Sequence, residues 1–220
     1  RELRAKLSGR FGQGRAKAET EAYNASYEQA AQLLARKEVF DFSKFDDKDL
    51  ERYGKHEFAK HCLMARKLVE SGVTFVKVGH TNYDTHSENF NFHIEQLGEV
   101  DRSFATFISD IAARGMLEST LIIMLSEFGR TPNINHLYGR DHWSRAWSVM
   151  LAGGKIQRGA AFGKTNANGT EVIEHQVDHG HLFHTYLRAV GVNSSDDFVI
   201  GGRKFPIADP SKSAIKELLV

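Results

Sequence analysis

The chain has 220 residues, of which 41% are hydrophobic and 26% charged, and its formal net charge is +1. This composition is typical of a globular protein with an apolar core, and the balanced charge gives no electrostatic basis for binding nucleic acid. Cys62 is the only cysteine, which excludes an internal disulfide and a thiolate zinc cage, and no apolar stretch reaches the roughly 18 residues of a membrane span.

Helical spacing of apolar residues predicts four helices. They cover Glu19–Lys37, Lys55–Ser71, Asn91–Gly115 and His179–Val190, and Asp178 is the expected N-cap of the last one. The side chains of the third helix that we expect to face a core are Ile94, Leu97, Phe104, Phe107, Ile108 and Ile111.

Three apolar or β-branched runs predict strands at Val73–Val78, Thr120–Ser126 and Trp147–Ala152, and Gly159–Gly169 is typical of turns or a hairpin. Strands separated by long helices indicate an α/β protein with a mostly parallel sheet and helices on both faces. With no convincing linker or internal repeat in the sequence, we expect a single domain over residues 1–220.

Polar side chains follow two of these strands. Because the carboxyl ends of parallel strands meet at one edge of a sheet, we expect the two loops to converge there. The loop after the first strand supplies His80, Asp84 and His86, and the loop after the second supplies Glu127, Arg130, Asp141 and His142.

Imidazoles mixed with carboxylates suit Zn²⁺, Mn²⁺ or Fe²⁺, whereas sets of oxygen ligands alone suit Mg²⁺ or Ca²⁺. The guanidinium of Arg130 suits a substrate oxyanion. Asp141 and His142 are adjacent, so they cannot both point the same way from an extended strand, and one of them is expected to support the loop.

Each of these residues also has a purely structural interpretation. Asp84 can form an Asx turn or cap the next helix, and His86 can be a solvated loop residue. Glu127 and Arg130 can form an ion pair that fixes the loop. A second histidine group lies near the last helix and consists of His175, His179, His181 and His184. It is more simply explained as scattered side chains at a helix N-terminus, and metal capture by this group is a secondary hypothesis.

Four blocks of sequence resemble the bacterial DUF1501 family, which is placed with the alkaline phosphatase and sulfatase-like superfamily. They are Tyr83–His86, Ser126–Pro132, Gly139–Trp143 and Trp147–Gly154. The resemblance implies a three-layer α/β/α fold of the alkaline-phosphatase type, with one or two metal ions at the sheet edge.

Transferred residue by residue, the resemblance implies metal ligation by Asp84, His86, Glu127 and His142, with Asp141 as ligand or support. Superfamily relatives commonly hydrolyse phosphate or sulfate esters, and members of this family often carry an export signal, which implies a periplasmic or extracellular location. Family members usually run to twice this length. The chain, which starts at Arg1 and not at Met, is therefore expected to be an incomplete, C-terminal half that lacks the N-terminal half and the superfamily's nucleophile position.

The first hypothesis is an exported metal-dependent hydrolase. Its substrates would be phosphate or sulfate esters of small molecules or polysaccharides, and the fragment can be inactive alone. A divalent metal is the expected cofactor, with zinc favoured over manganese, iron, magnesium or calcium, and Arg130 is the expected catalytic residue. The alternative is a non-catalytic metal-binding or structural protein of the periplasm or cell surface.

Overall fold

The computed structural model describes residues 3, 6, 7, 9, 17–35 and 37–220. From Lys17 onward the α-helices are α1 (Lys17–Ala35), α2 (Asp47–Tyr53), α3 (Glu57–Glu70), α4 (Asn89–Ala113) and α5 (His179–Ala189). The strands are β1 (Ile122–Met124), β2 (Gly129–Arg130), β3 (His142–Trp143), β4 (Met150–Ala152), β5 (Lys164–Thr165), β6 (Val172–Glu174), β7 (Asp197–Ile200) and β8 (Arg203–Pro206).

The chain divides into two compact units. One comprises the described residues up to Lys44 together with Asp196–Ile207, and the other comprises Phe45–Ser195 with Ala208–Val220. The expectation of one domain over residues 1–220 stays a prediction.

The first unit contains helix α1 and the β7–β8 hairpin. Helix α1 confirms the helix predicted over Glu19–Lys37, but its aromatic side chains face solvent, with Tyr23 and Tyr27 both exposed. The hairpin is antiparallel, pairing Asp197 with Pro206 and Ile200 with Arg203.

The core of the second unit is built from α2, α3 and α4. Tyr53, Leu63 and Ile111 are fully buried where these helices meet. Helices α2 and α3 begin at side chains that accept backbone N–H groups, Asp46 from Lys48 N at 2.9 Å and His56 Nδ1 from Ala59 N at 3.3 Å. Cys62 on α3 is buried in this core, and burial raises the pKa of its thiol to about 12.

Buried charges also join these three helices. Arg66 on α3 donates to Asp110 on α4 at 2.5 Å and to Asp49 on α2 at 2.5 Å. Arg52 and Tyr53 of α2 donate to the same Asp110 carboxylate at 2.5 and 3.1 Å. The pKa of Asp110 would be raised by burial, but these hydrogen bonds lower it to about 2.

Helix α4 confirms the helix predicted over Asn91–Gly115, although part of its expected inner face is outside. Phe107 and Ile111 are buried, whereas Ile94 and Leu97 are 75% and 53% exposed. The apolar side chains near the start of α4 therefore face solvent, and its apolar packing is made by the later turns.

The strand predicted over Val73–Val78 does not form. This segment has no regular structure and bends at Thr74, and Phe75 is 82% exposed. A β-branched run becomes a strand only when a neighbouring strand accepts its backbone hydrogen bonds, and in the described part of the chain no strand pairs with it.

The other two predicted strands form in shortened versions and pair with each other. Strand β1 lies antiparallel to β4, with Ile122 opposite Ala152 and Met124 opposite Met150. All four sheets in the described residues are two-stranded and antiparallel. The α/β class is confirmed, but the parallel sheet expected from the helix–strand alternation is not seen.

The β5–β6 hairpin and helix α5 lie in the last third of the second unit. The β5–β6 hairpin confirms the turn-rich segment predicted before α5, and Asp178 caps α5 by accepting from His181 N at 3.1 Å.

None of the helices in the described ranges is both long and apolar enough to cross a membrane.

Candidate metal centre

The short β2–β3 ladder places two predicted site residues side by side. Arg130 and His142 are directly opposite each other, and opposite residues of an antiparallel pair project to the same face. Both side chains reach the carboxylate of Asp84, Arg130 Nη2 at 2.8 Å and His142 Nε2 at 2.9 Å from its Oδ1 atom.

The loop that carries Asp84 and His86 has no helix or regular strand of its own, and helix α4 holds it in place. The Gln96 side chain is buried and donates to the carbonyl groups of Thr81 and Asn82 at 3.0 and 2.6 Å. These two bonds fix the backbone directly before Asp84, so α4 acts as the platform for the site.

The loop between β2 and β3 lies against the same segment. Arg140 N donates to Thr85 O at 3.0 Å, and Gly139 packs directly on the backbone of His86. A methyl group at Gly139 would lie 2.0 Å from the carbonyl carbon and oxygen of His86. Only glycine allows this close approach, which brings the two loops together.

Three potential ligand atoms converge where the loops meet. His86 Nε2 lies 3.0 Å from Asp84 Oδ1 and 3.2 Å from His142 Nε2, and His142 Nε2 lies 2.9 Å from Asp84 Oδ1. Zinc bonds of 2.0–2.1 Å in a tetrahedron place neighbouring ligand atoms about 3.3 Å apart. The candidate triad of Asp84, His86 and His142 is therefore close to the spacing of a metal site, and it is the one group in the described residues with three such side chains in reach of one ion.

Neighbouring groups orient the candidate triad. Asp141 Oδ1 lies 2.7 Å from His86 Nδ1, the ring nitrogen that faces away from the other two ligands. The Phe128 ring packs on His142 with the ring centroids 4.4 Å apart. The pairing of Arg130 with Asp84 completes a site in which each potential ligand has a fixed neighbour.

The electrostatics favour ionised carboxylates. Hydrogen bonds from His142 and then Arg130 lower the pKa of Asp84 to about 2. A hydrogen bond from His86 likewise lowers the pKa of Asp141. Both groups are therefore anions at neutral pH, which is the form that binds a cation or holds an imidazole N–H.

The triad is open to solvent on one side. The side chains of Asp84, His86 and His142 are 70%, 45% and 52% exposed. Structural zinc sites are usually closed by four protein ligands, whereas catalytic sites use three and keep one position open. Three exposed ligands fit the second pattern.

Not every predicted site residue joins this group. Glu127 is exposed, and no hydrogen bond or ion pair links it to the triad in the described structure. His80 lies in a separate network, where its Nε2 atom is 3.0 Å from Glu99 and its Nδ1 atom 2.8 Å from Tyr83. The loops thus converge as expected, although not through the carboxyl edge of a parallel sheet.

Two members of the second histidine group make structural contacts. His181 takes part in the α5 capping box with Asp178. His184 is buried with both ring nitrogens engaged, Nδ1 by Ser194 Oγ at 2.8 Å and Nε2 by the carbonyl of Asp209 at 2.8 Å. These contacts account for the two histidines without a metal.

Two residues that organise the site were not singled out by the sequence pattern. Gln96 is a polar residue within an amphipathic helix, and its role depends on a loop that reaches it only in the fold. Asn135 accepts Leu137 N at 2.9 Å and Gly139 N at 3.0 Å. Its position four residues before a glycine was the available signal, because asparagine favours such turns.

The chain combines a mixed α/β fold with a candidate metal triad made of one carboxylate and two imidazoles. The chain belongs to the DUF1501 family, described as a protein of unknown function, and the match covers residues 1–219. No curated protein and no solved structure matches the chain.

Proposed function

We propose that this protein binds a divalent metal through Asp84, His86 and His142 and hydrolyses phosphate or sulfate esters. The single observation that carries the proposal is the convergence of three ligand atoms within 3.2 Å of one another on an exposed surface. The donor set of one carboxylate and two imidazoles fits zinc best, with manganese and iron next.

One of the chain's own residues is placed to hold the substrate beside the metal. When bound, a divalent ion supplies the Lewis acidity that polarises a phosphoryl or sulfuryl oxygen. Arg130 donates to Asp84 at 2.8 Å and to Arg140 O at 3.2 Å, and a guanidinium has five N–H donors. Arg130 can therefore hold a substrate oxyanion beside the metal while still fixing Asp84.

Glu127 and Asp141 remain proposed members of the site in different capacities. Glu127 lies on the exposed loop before β2, from which it can add a ligand once a metal is bound. Asp141 already contacts the ring of His86, and its position favours support over ligation.

The wider assignment rests on family resemblance. We propose that the chain shares the three-layer α/β/α architecture of the alkaline phosphatase and sulfatase-like superfamily and acts in the periplasm or outside the cell. The motif blocks from Tyr83 to Gly154 support it, and fractionation of cells expressing the native gene tests the location.

Metal binding is tested first. After zinc loading and desalting, mass spectrometry should find close to one zinc ion in the full chain and none after Asp84→Ala or His142→Ala. Asp101→Ala, which removes an exposed carboxylate of α4, is the matched control and should retain the metal. Equal zinc content in all four proteins would contradict the site.

Catalysis is tested separately with p-nitrophenyl phosphate and p-nitrophenyl sulfate. We expect zinc-dependent turnover that is lost in His142→Ala, and Arg130→Ala should raise KM because an oxyanion contact is removed. Retained turnover in His142→Ala would refute the assignment of the reaction to this site.

A non-catalytic metal-binding protein is the second candidate. It is favoured by the contacts of Arg130, since both terminal nitrogens already donate within the protein. Stoichiometric zinc without turnover on either ester would support this candidate over the hydrolase.

A further inference from the structure

We propose that Glu99 on α4 is a positioning residue for the candidate metal centre. It acts through His80 and Tyr83 on the loop that carries Asp84. The inference rests on the proposed metal site for its effect on zinc binding. Its effect on the loop can be measured in the metal-free chain, so the two proposals can be tested separately.

A chain of two polar contacts leads from Glu99 to the loop. Glu99 Oε2 lies 3.0 Å from His80 Nε2, and the other ring nitrogen, Nδ1, lies 2.8 Å from the hydroxyl oxygen of Tyr83. Both distances are those of hydrogen bonds. Because the imidazole uses both of its nitrogens, it joins a carboxylate of α4 to a hydroxyl of the loop.

Aromatic neighbours hold this bridge in place. The ring of Phe58 on α3 packs on His80 with the centroids 4.5 Å apart, and the His80 side chain is 15% exposed. Tyr83 packs edge-on against His93 of α4 at a centroid distance of 5.7 Å. Hydrogen bonds that are shielded from water are stronger than exposed ones, so these two contacts can anchor a loop without regular structure.

The charge of Glu99 also acts on the Tyr83 hydroxyl. Burial, and then the nearby carboxylate of Glu99, raises the pKa of Tyr83 above its ordinary value of about 10. The hydroxyl therefore keeps its proton at neutral pH and stays available for the contact with His80.

The segment that begins at Tyr83 carries two of the three potential ligands. The carbonyl of Tyr83 accepts Thr85 N at 2.9 Å, and the carbonyl of Asp84 accepts His86 N at 3.2 Å. These are two successive three-residue turns. The position in which Tyr83 is held therefore passes through the backbone to Asp84 and His86.

Four side chains of α4 contact this loop, and they follow the helix in the reverse order of the loop. Their spacing of three or four residues places them on one face of the helix. The pairs are Asn89 with Thr85, His93 with Tyr83, Gln96 with Thr81 and Asn82, and Glu99 with His80. Glu99 is the carboxylate of this set, and its removal leaves a largely buried imidazole without that partner.

The first experiment follows the loop in the metal-free full chain. In ¹H–¹⁵N spectra, Glu99→Ala should displace the backbone amide signals of Asp84 and His86. Glu99→Gln keeps a hydrogen-bonding partner for His80 and should leave these signals close to those of the wild type. Glu95→Ala, which removes an exposed carboxylate of the same helix, is the matched control. Undisplaced signals in Glu99→Ala, or equal displacement in Glu99→Gln, would overturn the inference.

The second experiment measures zinc affinity by competition with a chelator, at a temperature at which every variant is folded. Glu99→Ala should weaken binding by about tenfold, and Glu99→Gln should retain most of the affinity. A lower melting temperature of Glu99→Ala with unchanged zinc affinity would identify a purely structural role and overturn the inference.

Tyr83→Phe breaks the same chain from the side of the loop. Glu99 Oε2 also lies 3.7 Å from His56 Nδ1 on α3, and Tyr83→Phe leaves that contact intact. It should weaken zinc binding as much as Glu99→Ala does. Because both changes interrupt one path, the double variant should bind no more weakly than the weaker of the two single variants, and multiplied losses would contradict a shared path.

The two proposals fail in different ways. A wild-type chain that binds no zinc, with the Asp84 and His86 signals displaced in Glu99→Ala, would refute the metal site and uphold the positioning role. Zinc binding that is normal in the wild type and unchanged in Glu99→Ala and Tyr83→Phe would do the reverse.

Discussion

Asp110 joins the three helices of the core. The residue is 4% exposed, and its carboxylate accepts hydrogen bonds from Arg66, Arg52 and Tyr53. Removing one member of a buried charge network leaves the others unpaired, which costs more than the pair itself contributes. The orientation of α2 and α3 on α4 is therefore specified by charge as well as by apolar packing.

Asp110→Asn should lower the free energy of unfolding by about 3 kcal/mol. The amide keeps the shape of the side chain but not the charge that balances Arg66 and Arg52. Urea unfolding followed by circular dichroism measures the loss, and Asp101→Asn on the exposed face of α4 is the control. A loss no larger than that of the control would show that the buried charge is dispensable.

The pH dependence of stability provides a separate check on Asp110. Its pKa is lowered from 3.8 to about 2 in the folded chain, so its contribution is present above pH 4 and disappears as the pH falls towards 2. The linkage amounts to about 2 kcal/mol. The stability difference between wild type and Asp110→Asn should shrink by that amount between pH 5 and pH 2, and a constant difference would contradict the assigned pKa.

At the scale of elements, the helices follow from the sequence and the sheets do not. Helices α3 and α4 are defined by the local periodicity of their apolar residues, so the predictions over Lys55–Ser71 and Asn91–Gly115 hold to within a few residues. A strand depends on a distant partner, which local pattern cannot supply. Val73–Val78 has the composition of a strand and stays unpaired.

The site was predictable in part for the same reason. Polar residues concentrated in two loops predicted which side chains would meet, and Asp84, His86, Arg130, Asp141 and His142 do come together. The sequence could not predict that Glu127 makes no contact with the triad in the described structure, because the direction of a loop side chain depends on the fold. Nor could it predict Gln96, whose partners lie in a loop without regular structure.

The contact between the two loops can be tested at Gly139. Gly139→Ala places a methyl group 2.0 Å from the His86 backbone, and backbone cannot move aside as a side chain can. We expect a cost of about 1–3 kcal/mol and at least about tenfold weaker zinc binding.

The matched control for this substitution is Gly98→Ala on α4, where the added methyl group meets open space. It should leave zinc binding unchanged and stabilise the helix by up to about 1 kcal/mol. Unchanged zinc affinity in Gly139→Ala would show that the loops do not need this close approach.

At the scale of the whole molecule, ligand binding and stability are linked. A ligand that binds only the folded chain stabilises it by about 2.7 kcal/mol at 100 times its Kd. For a chain of this size the linkage corresponds to a rise in Tm of roughly 5–10 °C. Zinc should produce this shift in the wild type and a chelator should reverse it, whereas the same shift in His142→Ala would place the binding elsewhere.

Because Cys62 is buried, the rate at which its thiol reacts reports the opening of the helical core. The thiol is 4% exposed, its pKa is raised to about 12, and the chain has no other cysteine. An alkylating reagent can react only when α3 separates from its neighbours, so the labelling rate of native protein reports how often the core opens. Slower labelling with zinc bound would mean that an ion held by two surface loops also restrains the opening of the helices beneath them.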